Sequence, residues 1–572
     1  MKKKWLAWML AAGMMLPVHA GAAQAPCGYP AAEDFPKTMT RGAFLEHLAL
    51  CAEEDLTQDT WIPMEEYFAD GETASAAVKW TFAKWILNGS GAGDKAALRL
   101  DDPITRQEAA AFLGRDLDYR YTELPDGCGT GAPQMDNVAA WARDGVMKCW
   151  LYRVIDTGYA PDFRPEGLVS GAEAAQWIAA ANAVQASAIT APEQPAFADD
   201  LVRKLETKDN WAVSPYSIRM CLAMLANGAK GETQRELLEA LDIADLAAFN
   251  AQTRDLLRTY DSYARIMSLE TANSLWLNQS WFDGRGEFLP GFAHKMEENY
   301  RATAEEVTNR DAVERVNAWV NEKTHGKIPS VLTEDDRKFV TALVNAVYFK
   351  AAWENEFPAQ RTEKAEFTNA DGTKSKVDMM HQTDSFGYYA TPGAQALKMD
   401  YRKYAVDNAE GDNWEFFRDA DFSMYIIKAD KGLDVQHFLD SADFSKGSGE
   451  IRVAVPKFKV EYGAALDDAL RALGVQTAYD AEQADLTAML DPTGLPDKQH
   501  FLDTVLHKTY IAVDEKGTEA AAVTAAMDVG GSAMPERPAL VREFTADEPF
   551  YFAIRDNAAG ELLFVGRYEK AA

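Results

Sequence analysis

Apolar and polar positions follow a regular pattern over the long C-terminal part of the chain. "FVTALVNAVYFKAAW" begins as a nearly continuous apolar run, which is typical of a strand buried on both faces of a sheet. "SPYSIRMCLAMLANGAKGET" has apolar residues at helical spacing and a serine that can cap the helix. "IRVAVPKFKVEYGAALDDALRALGV" predicts a strand followed by a helix, and "DEPFYFAIRDNAAGELLFVGRYEK" predicts a C-terminal hairpin. Together these patterns predict a mixed α+β fold with large sheets.

The first third of the chain repeats a different pattern. "MTRGAFLEHL" begins at Met39, "ITRQEAAAFLGR" at Ile104 and "LVSGAEAAQWI" at Leu168, so the starts lie 65 and 64 residues apart. Each contains a Thr or Ser that can cap an alanine-rich helix, and a Trp-bearing helix precedes the second and the third. This spacing predicts a mostly α-helical repeat region over residues 27–185, divided into about 27–58, 61–120 and 133–185.

The two ends of this repeat region carry processing and linker signals. "MKKKWLAWMLAAGMMLPVHA" combines a Lys triplet, an apolar stretch and a small-residue end, which predicts a secretory signal peptide within residues 1–25. A membrane anchor is the alternative, but the apolar run is short and contains Pro17. No later segment suits a membrane span, so we expect a secreted, extracellular protein. Residues 186–194 are small, polar and Pro-bearing, which predicts a linker to a domain at 195–572.

Charge and cysteine content narrow the partners and the compartment. The formal net charge of −31 argues against nucleic acid and anionic membrane surfaces as partners. Export permits disulfides, and four cysteines in the first third suggest the pairs Cys27–Cys51 and Cys128–Cys149, although other connectivities stay open. Cys221 lies in an apolar helical run and is predicted to be a buried small hydrophobic residue. The sequence has no metal-binding, phosphate-loop or nucleophile-elbow motif, so we expect no catalytic residue, metal or cofactor.

A stretch of small residues near the C-terminus, "KGTEAAAVTAA", has almost nothing to pack. Alanine favours helix, yet this run has no apolar face at helical spacing that a core could hold. One interpretation is a flexible surface loop. The other is a segment that leaves its loop and becomes a strand elsewhere in the molecule.

Four sequence blocks identify a resemblance that bears on this choice. "SPYSI", "LVNAVYFKAAW", "VLHKTYIAVDEKGTEAAA" and "FVGR" occur in order within residues 195–572, and this region resembles the serpins, the serine protease inhibitor superfamily. The resemblance implies an α+β fold with large mixed sheets, about nine helices and a mobile reactive-centre loop. In an inhibitory serpin a protease cleaves that loop, whose freed part enters a central sheet while the acylated protease is carried along and distorted. We therefore expect a monomeric suicide-substrate inhibitor of serine proteases and not an enzyme.

The resemblance also implies a hinge and a reactive bond. The hinge comprises Glu515, Gly517, Thr518, Glu519, Ala520, Ala521, Ala522, Val523 and Thr524. The family's usual hinge length puts the scissile bond at Gly531–Ser532, with Met527 and Met534 as alternatives and Arg537 as a distant, trypsin-directed one. A small residue before the bond favours elastase-like or subtilisin-like proteases.

Alternation along the inserted strand tests whether the hinge suits burial. The inward set would be Thr518, Ala520, Ala522, Thr524, Ala526 and Asp528, and small side chains are what a close-packed interior accepts. Asp528 is the exception, because an unpaired buried carboxylate costs several kcal/mol. The alternative is a non-inhibitory serpin that serves as a cell-wall-attached binding or structural module, but such relatives usually carry bulky or charged hinge residues.

Other residues match the elements that control insertion in serpins. Ser214, Ser217, Asn345 and His507 match the shutter, a polar cluster beneath the central sheet. Trp353 matches the breach, where insertion starts. Lys457 and Glu515 match a family ion pair at the loop base, which contributes about 1 kcal/mol or less if it is exposed.

The repeats of the first third resemble a second family. A Trp-containing helix, a turn and "ITRQE" are similar to the S-layer homology repeat, whose signature ends in "ITRAE". The resemblance implies a three-pronged helical bundle that binds a cell-wall polysaccharide of Gram-positive bacteria. Its motif matches Arg41, Thr105, Arg106 and Glu108, whereas the third repeat has Ser170-Gly171 in place of Thr-Arg. We therefore expect a bacterial protein that is associated with the cell wall.

Overall fold

The computed structural model describes residues 37–52, 54–89, 96–122, 135, 137–155, 163–184, 196–205, 209–406, 414–491, 500–518 and 540–571. Contacts divide the chain into two compact units, Met1–Tyr119 with Gly127–Val184, and Arg120–Asp126 with Gln185–Ala572. Several predictions fall outside the described residues: the signal peptide, the linker, Cys27, Cys128, the hinge from Glu519 onward, Asp528 and every candidate for the reactive bond.

The first unit is helical over much of its described part. Its helices are α1 (Arg41–Leu50), α2 (Met64–Tyr67), α3 (Ala76–Ala83), α4 (Arg106–Arg120), α5 (Arg143–Leu151) and α6 (Gly171–Asn182). Thr40 accepts a hydrogen bond from the backbone of Ala43 at the start of α1, and Ser170 accepts one from Glu173 at the start of α6. These side chains satisfy backbone donors that have no partner within the helix, which fixes where each helix begins.

The three repeat starts are joined to one another by backbone hydrogen bonds. The amide of Met39 donates to the carbonyl of Val169 (2.8 Å), that of Ile104 to Met39 (2.9 Å), and that of Val169 to Ile104 (3.1 Å). All three residues are fully buried, and consecutive members are 65 residues apart in the chain. Equivalent positions of the three repeats therefore close a ring of hydrogen bonds.

The cysteines of the described part are buried. Cys51 follows α1, and Cys149 on α5 donates to the carbonyl of Ala110 at 3.5 Å. Burial raises the pKa of the Cys149 thiol. The two proposed disulfides stay predictions because Cys27 and Cys128 lie outside the described residues.

The second unit contains eight α-helices in its described part, against about nine implied by the resemblance. They are α7 (Phe197–Leu205), α8 (Pro215–Gly228), α9 (Gly231–Ala240), α10 (Leu246–Ser262), α11 (Pro290–Tyr300), α12 (Ala312–Lys323), α13 (Val435–Ser441) and α14 (Asp467–Ala472). Ser214 caps α8, and Cys221 is fully buried on this helix, as predicted. Among the described residues of the chain, no helix combines the length and apolarity needed to span a bilayer.

In the described part of the second unit the strands form three sheets. The strands are β1 (Trp211–Val213), β2 (Met267–Asn278), β3 (Thr303–Val307), β4 (Thr341–Ala352), β5 (Glu363–Thr368), β6 (Lys374–Thr391), β7 (Ala394–Asp400), β8 (Tyr404–Val406), β9 (Trp414–Phe416), β10 (Phe422–Ala429), β11 (Gly449–Pro456), β12 (Phe458–Ala465), β13 (Thr504–Asp514), β14 (Gly517–Thr518), β15 (Arg542–Thr545), β16 (Phe550–Asp556) and β17 (Glu561–Tyr568). A nine-stranded sheet runs β1-β17-β16-β10-β7-β6-β11-β15, with β5 beside β6. A six-stranded sheet runs β12-β13-β14-β4-β2-β3, and β8 pairs with β9. The predicted C-terminal hairpin is β16–β17.

Strand β4 is covered on both faces, as its continuous apolar sequence predicts. Leu343, Val347 and Phe349 point to the face of the six-stranded sheet that packs on the main core of the unit, which we call the rear face. Ala342 and Val344 alternate with them and pack at the front in a separate cluster, which contains apolar side chains of α12. Because side chains alternate along a strand, the position in the chain tells which face any residue of β4 occupies.

Candidate functional site

The candidate site is the junction between β4 and β13. The two strands pair in parallel from Ala342 and Thr504 to Tyr348 and Tyr510. Beyond that point they are separated by β14, which is antiparallel to both strands. The sheet is therefore already parted at one end, and the strand that parts it is the first piece of the predicted hinge.

Thr518 is held inside the sheet by strand pairing and by a contact with Tyr401. It pairs with Ala351 and Val513, is fully buried, and its hydroxyl lies 2.7 Å from the Tyr401 hydroxyl. The Tyr401 ring stacks on Trp353 with centroids 4.7 Å apart, and burial raises the pKa of Tyr401. Trp353 thus lies next to the parted end of the sheet, and Tyr401 connects it to the hinge.

The base of the loop is fastened by Glu515. Its carboxylate accepts hydrogen bonds from Lys457 (2.8 Å) and from the hydroxyl of Thr362 (2.9 Å), and its carbonyl accepts one from the amide of Phe357 (2.8 Å). Burial raises the pKa of Glu515, but these hydrogen bonds outweigh it and hold the pKa below its usual value. Two residues on, a side chain at Gly517 would collide with the backbone of β4, so a residue without Cβ is needed there.

Four of the predicted residues meet beneath the middle of the junction. The Asn345 side chain donates to the Ser217 hydroxyl, and the amide of Ser217 donates to the Ser214 hydroxyl (3.2 Å). His507 pairs with Asn345 across the two strands, and its Nδ1 lies against the Asn345 side-chain oxygen. All four side chains are buried. The polar cluster therefore ties β4, β13 and the start of α8 together.

The hydrogen bonds determine the protonation of His507. Its Nε2 accepts a hydrogen bond from the amide of Ser214 at 3.1 Å, so this nitrogen carries no proton and the Nδ1 proton is donated to Asn345. Burial lowers the pKa of His507 to about 3. A neutral ring that bonds two fixed partners orients the strands and has no spare nitrogen for acid–base chemistry.

The comparisons with known proteins agree with this geometry. A protein-family model described as "Serpin (serine protease inhibitor)" matches residues 192–571. The chain belongs to the serpin family. Among its relatives, the leukocyte elastase inhibitor of Sus scrofa is 30% identical over 396 residues, which cover 65% of this chain and 96% of the relative. The leukocyte elastase inhibitor of Homo sapiens is 30% identical over 390 residues, which cover 65% and 97%.

Solved serpin structures share the fold. The thermophilic serpin tengpin in its native state matches with a TM-score of 0.54 and 26% identity, over 66% of this chain and 92% of that one. An Arabidopsis serpin in its native stressed conformation matches with a TM-score of 0.54 and 26% identity, over 65% and 95%. The second unit therefore has the serpin-type α+β fold.

Two residues of this serpin site were missed by the sequence analysis. Tyr401 ends a strand pattern without any feature that marks it, and its contact with Thr518 spans 117 residues of chain. Asn273 on β2 joins the polar cluster by accepting a hydrogen bond from the side chain of Asn345. The sequence does not distinguish Asn273, because Glu270, Thr271 and Ser274 are polar residues of the same segment, "LETANSLWLN".

The candidate wall-binding residues of the first unit make internal contacts. Arg41 is buried and donates to the carboxylate of Glu108 (2.6 Å) and to the carbonyl of Leu98 (3.0 Å). Arg106 pairs in the same way with Glu173, which lies 67 residues further on, as Glu108 does from Arg41. Burial lowers the pKa of Arg41. Both arginines join successive repeats, and their role in ligand binding stays a prediction.

Thr105 and Glu108 form a capping box at the start of α4. The Glu108 carboxylate accepts a hydrogen bond from the amide of Thr105 at 2.9 Å, while the Thr105 hydroxyl accepts one from the amide of Glu108 at 3.4 Å. In the third repeat Gly171 occupies the position of the arginine. Within the described residues, no group of three or more His, Cys, Asp or Glu side chains is placed to hold a metal ion.

Proposed function

We propose that this serpin inhibits serine endopeptidases as a suicide substrate. The main support for this proposal is the position of β14, which already separates one end of β4 from β13 and contains the buried Thr518. A chain that continues β14 would extend the sheet by one antiparallel strand, and the small hinge residues suit that interior. The relatives named leukocyte elastase inhibitors favour an elastase-like target, with a subtilisin-like protease as the second choice.

The chemistry belongs to the target enzyme. The serine Oγ of the protease attacks the carbonyl carbon of Gly531, the bond to Ser532 breaks, and the new amino group of Ser532 takes up the proton of the serine. Gly531 is left as an ester on the protease. Insertion of the hinge then moves the esterified protease away before water can hydrolyse the ester.

The strand register supports insertion of the hinge between Asn345 and His507 of the polar cluster. Thr518 faces Ala351 and Val513, and each further residue of an antiparallel strand moves one position back along β4 and β13. Thr524 would then lie between Asn345 and His507, which are themselves opposite one another. Insertion would replace the Asn345–His507 hydrogen bond by contacts with a threonine hydroxyl, which can both donate and accept.

We also propose that the protein is exported and held at a bacterial cell wall by the region 27–185, with the serpin domain at 195–572. The signal-like N-terminal sequence and the three-fold repetition support this proposal. The test is sedimentation of the purified chain with isolated Gram-positive cell walls, with an Arg106→Ala variant and an Arg235→Ala variant from an exposed surface as the matched control. Equal sedimentation of both variants would remove Arg106 from the candidate residues.

The test of inhibition mixes the full chain with elastase, subtilisin, trypsin and chymotrypsin in separate reactions. We expect an SDS-stable complex with elastase or subtilisin and a released C-terminal peptide that begins at Ser532. A Thr518→Arg variant would be cleaved without a stable complex, because it puts a charge into the fully buried hinge site. Cleavage of the unaltered chain with full residual protease activity would favour the non-inhibitory alternative.

A further inference from the structure

The far end of the β4–β13 junction holds a buried histidine that the proposed mechanism does not use. His500 is 6% exposed, and its Nε2 lies 2.8 Å from the Thr341 hydroxyl at the start of β4. Its Nδ1 is buried and has no hydrogen-bond partner among the described residues. Burial lowers the pKa of His500 to about 3. A buried ring nitrogen without a partner is costly, so this site requires an explanation.

The site lies on the rear face of the sheet. Thr341 is two and four residues from Leu343 and Asn345, so it points to the rear as they do. The His500 ring packs edge-on against Phe282 of the main core. Asp503, the residue before β13, is the neighbour of Thr341, and its amide donates to the carbonyl of Thr341 at 3.0 Å. The carboxylate of Asp503 is already engaged by the amide of Val340.

The register of β14 tells which hinge residue would reach this place. Thr518 lies opposite Ala351 and Val513, so a strand that continues for ten residues would put residue 528 opposite Thr341 and Asp503. Thr518 points to the rear, and residues an even number of positions further along point the same way. Residue 528 is Asp528, the one member of the inward set that does not suit an apolar interior.

We propose that His500 and Thr341 form a receiving site for the carboxylate of Asp528 at the end of the inserted strand. The inference rests on the proposed function, because it requires insertion. The free ring nitrogen and the threonine hydroxyl supply two hydrogen-bond donors, and the arriving negative charge favours the protonated imidazole. A protonated ring also offsets the nearby Asp503. Asp528 would then be the residue of the inserted strand that binds at the far end of the β4–β13 junction.

The effect of Asp528→Ala on the stability of the inserted state depends on whether Asp528 has a partner there. If Asp528 entered the sheet without a partner, replacing it by alanine would stabilise the inserted state. If it meets His500, the same replacement removes a charge-assisted hydrogen bond and leaves the ring nitrogen without a partner, so the inserted state becomes less stable. The two possibilities differ in direction, which makes the experiment decisive.

The experiment adds a synthetic peptide of residues 518–529 to the native full-length chain, so that Asp528 is altered in the peptide alone. Peptides with Asp528 and with Asp528→Ala are compared on the unaltered protein, on His500→Gln and on the matched control His294→Gln, which is exposed. We expect the unaltered peptide to raise the melting temperature by several degrees more than Asp528→Ala on the unaltered protein and on His294→Gln. The advantage should disappear on His500→Gln. Thr341→Val serves as a second variant in case His500→Gln does not fold.

The outcomes separate this inference from the proposed function. An Asp528→Ala peptide that stabilises the unaltered protein as much as the unaltered peptide, or more, would overturn the receiving site and leave strand insertion standing. An advantage of the unaltered peptide that persists equally on His500→Gln and Thr341→Val would also overturn it. Failure of both peptides to raise the melting temperature would contradict strand insertion itself, and the receiving site with it.

Discussion

The parted end and the middle of the β4–β13 junction are held by different kinds of contact. At the parted end, β14 is kept in place by the Trp353–Tyr401 stack, one hydroxyl pair and the Lys457–Glu515 ion pair, which is partly exposed. In the middle, β4 and β13 pair directly above a buried polar cluster in which His507 has both ring nitrogens engaged. Exposed ion pairs contribute little, whereas breaking a buried hydrogen-bond network leaves donors and acceptors unsatisfied.

The difference suggests separate roles for the two sets of contacts in the proposed insertion. If the hinge inserts as proposed, contacts at the parted end would set where the entering strand begins, and the exposed ion pair among them contributes little to stability. Contacts in the middle would then resist opening until a strand with its own polar group replaces them. The substitutions below each alter one of the two places, so that their contributions can be measured separately.

Acidification should cause the largest loss of stability, through His507 in the middle of the junction and His500 at its far end. His500 and His507 have a pKa of about 3 in the folded chain, below the ordinary value of 6.5. As pH falls below 6.5 the unfolded chain binds protons that the folded chain does not, so stability is lost down to about pH 3. Each histidine contributes a loss of roughly 1.4 kcal/mol per pH unit.

The measurement is the urea midpoint between pH 7 and pH 4. A His507→Gln variant should show a shallower pH dependence than the unaltered chain, because one of the two groups no longer titrates. His294→Gln, which alters an exposed histidine, is the control and should leave the slope unchanged. Identical slopes for all three proteins would contradict the assignment of the loss to buried histidines.

Removal of the His507 ring at neutral pH should have the next largest effect. His507→Ala leaves the amide of Ser214 and the side-chain oxygen of Asn345 without their partner inside the core. Each orphaned group costs about 1–3 kcal/mol, so the free energy of unfolding should fall by about 2–6 kcal/mol. Thermal unfolding would measure it, and a loss as small as that of His294→Ala would show that water replaces the ring.

Loss of the Tyr401 hydroxyl should have a smaller, local effect. Tyr401→Phe leaves the hydroxyl of Thr518 unpaired and should destabilise the docked hinge by about 1–3 kcal/mol. Hydrogen exchange at the amide of Thr518 would report it. Thr518→Val in the Tyr401→Phe background should restore protection, since removal of both partners is nearly neutral. Tyr425→Phe removes another buried hydroxyl and is the control that should not change this amide.

The smallest effect should come from the ion pair at the loop base. Lys457→Met removes a partner whose side chain is 38% exposed, so we expect a change of about 1 kcal/mol or less. The effect should shrink further at high salt, because screening weakens the pair in the unaltered chain. A salt-independent loss would indicate that the stem of Lys457 acts through packing instead.

Sequence reasoning succeeded where a local pattern carries the information. The apolar run of β4 predicts a strand covered on both faces, and the capping residues Thr40 and Ser170 predict helix starts. Residues recognised by the serpin resemblance, such as Asn345 and His507, are indeed brought together by strand pairing. Their control of insertion stays a prediction.

The remaining features depend on strand pairings that no local pattern encodes. Tyr401 follows β7 of the nine-stranded sheet and reaches Thr518 of the other sheet through its bridge to Trp353, and the two residues are 117 apart in the chain. His500 lies beside Thr341 although the two residues are 159 apart in the chain, and no local pattern encodes that contact. The docking of Gly517–Thr518 as a strand was missed for the same reason, since small residues alone are compatible with a loop.

The ring of Met39, Ile104 and Val169 in the first unit has a consequence for how many repeats such a unit can contain. An open stack of repeats can grow or shrink by one module, because each module touches only its neighbours. In the closed ring each of the three residues is both a donor and an acceptor. Deletion of one repeat would leave one donor and one acceptor without a partner, and a fourth repeat would find no free group in the ring to bind. Closure of the ring therefore favours three repeats, and the constraint on their number comes from the whole ring and not from each neighbouring pair.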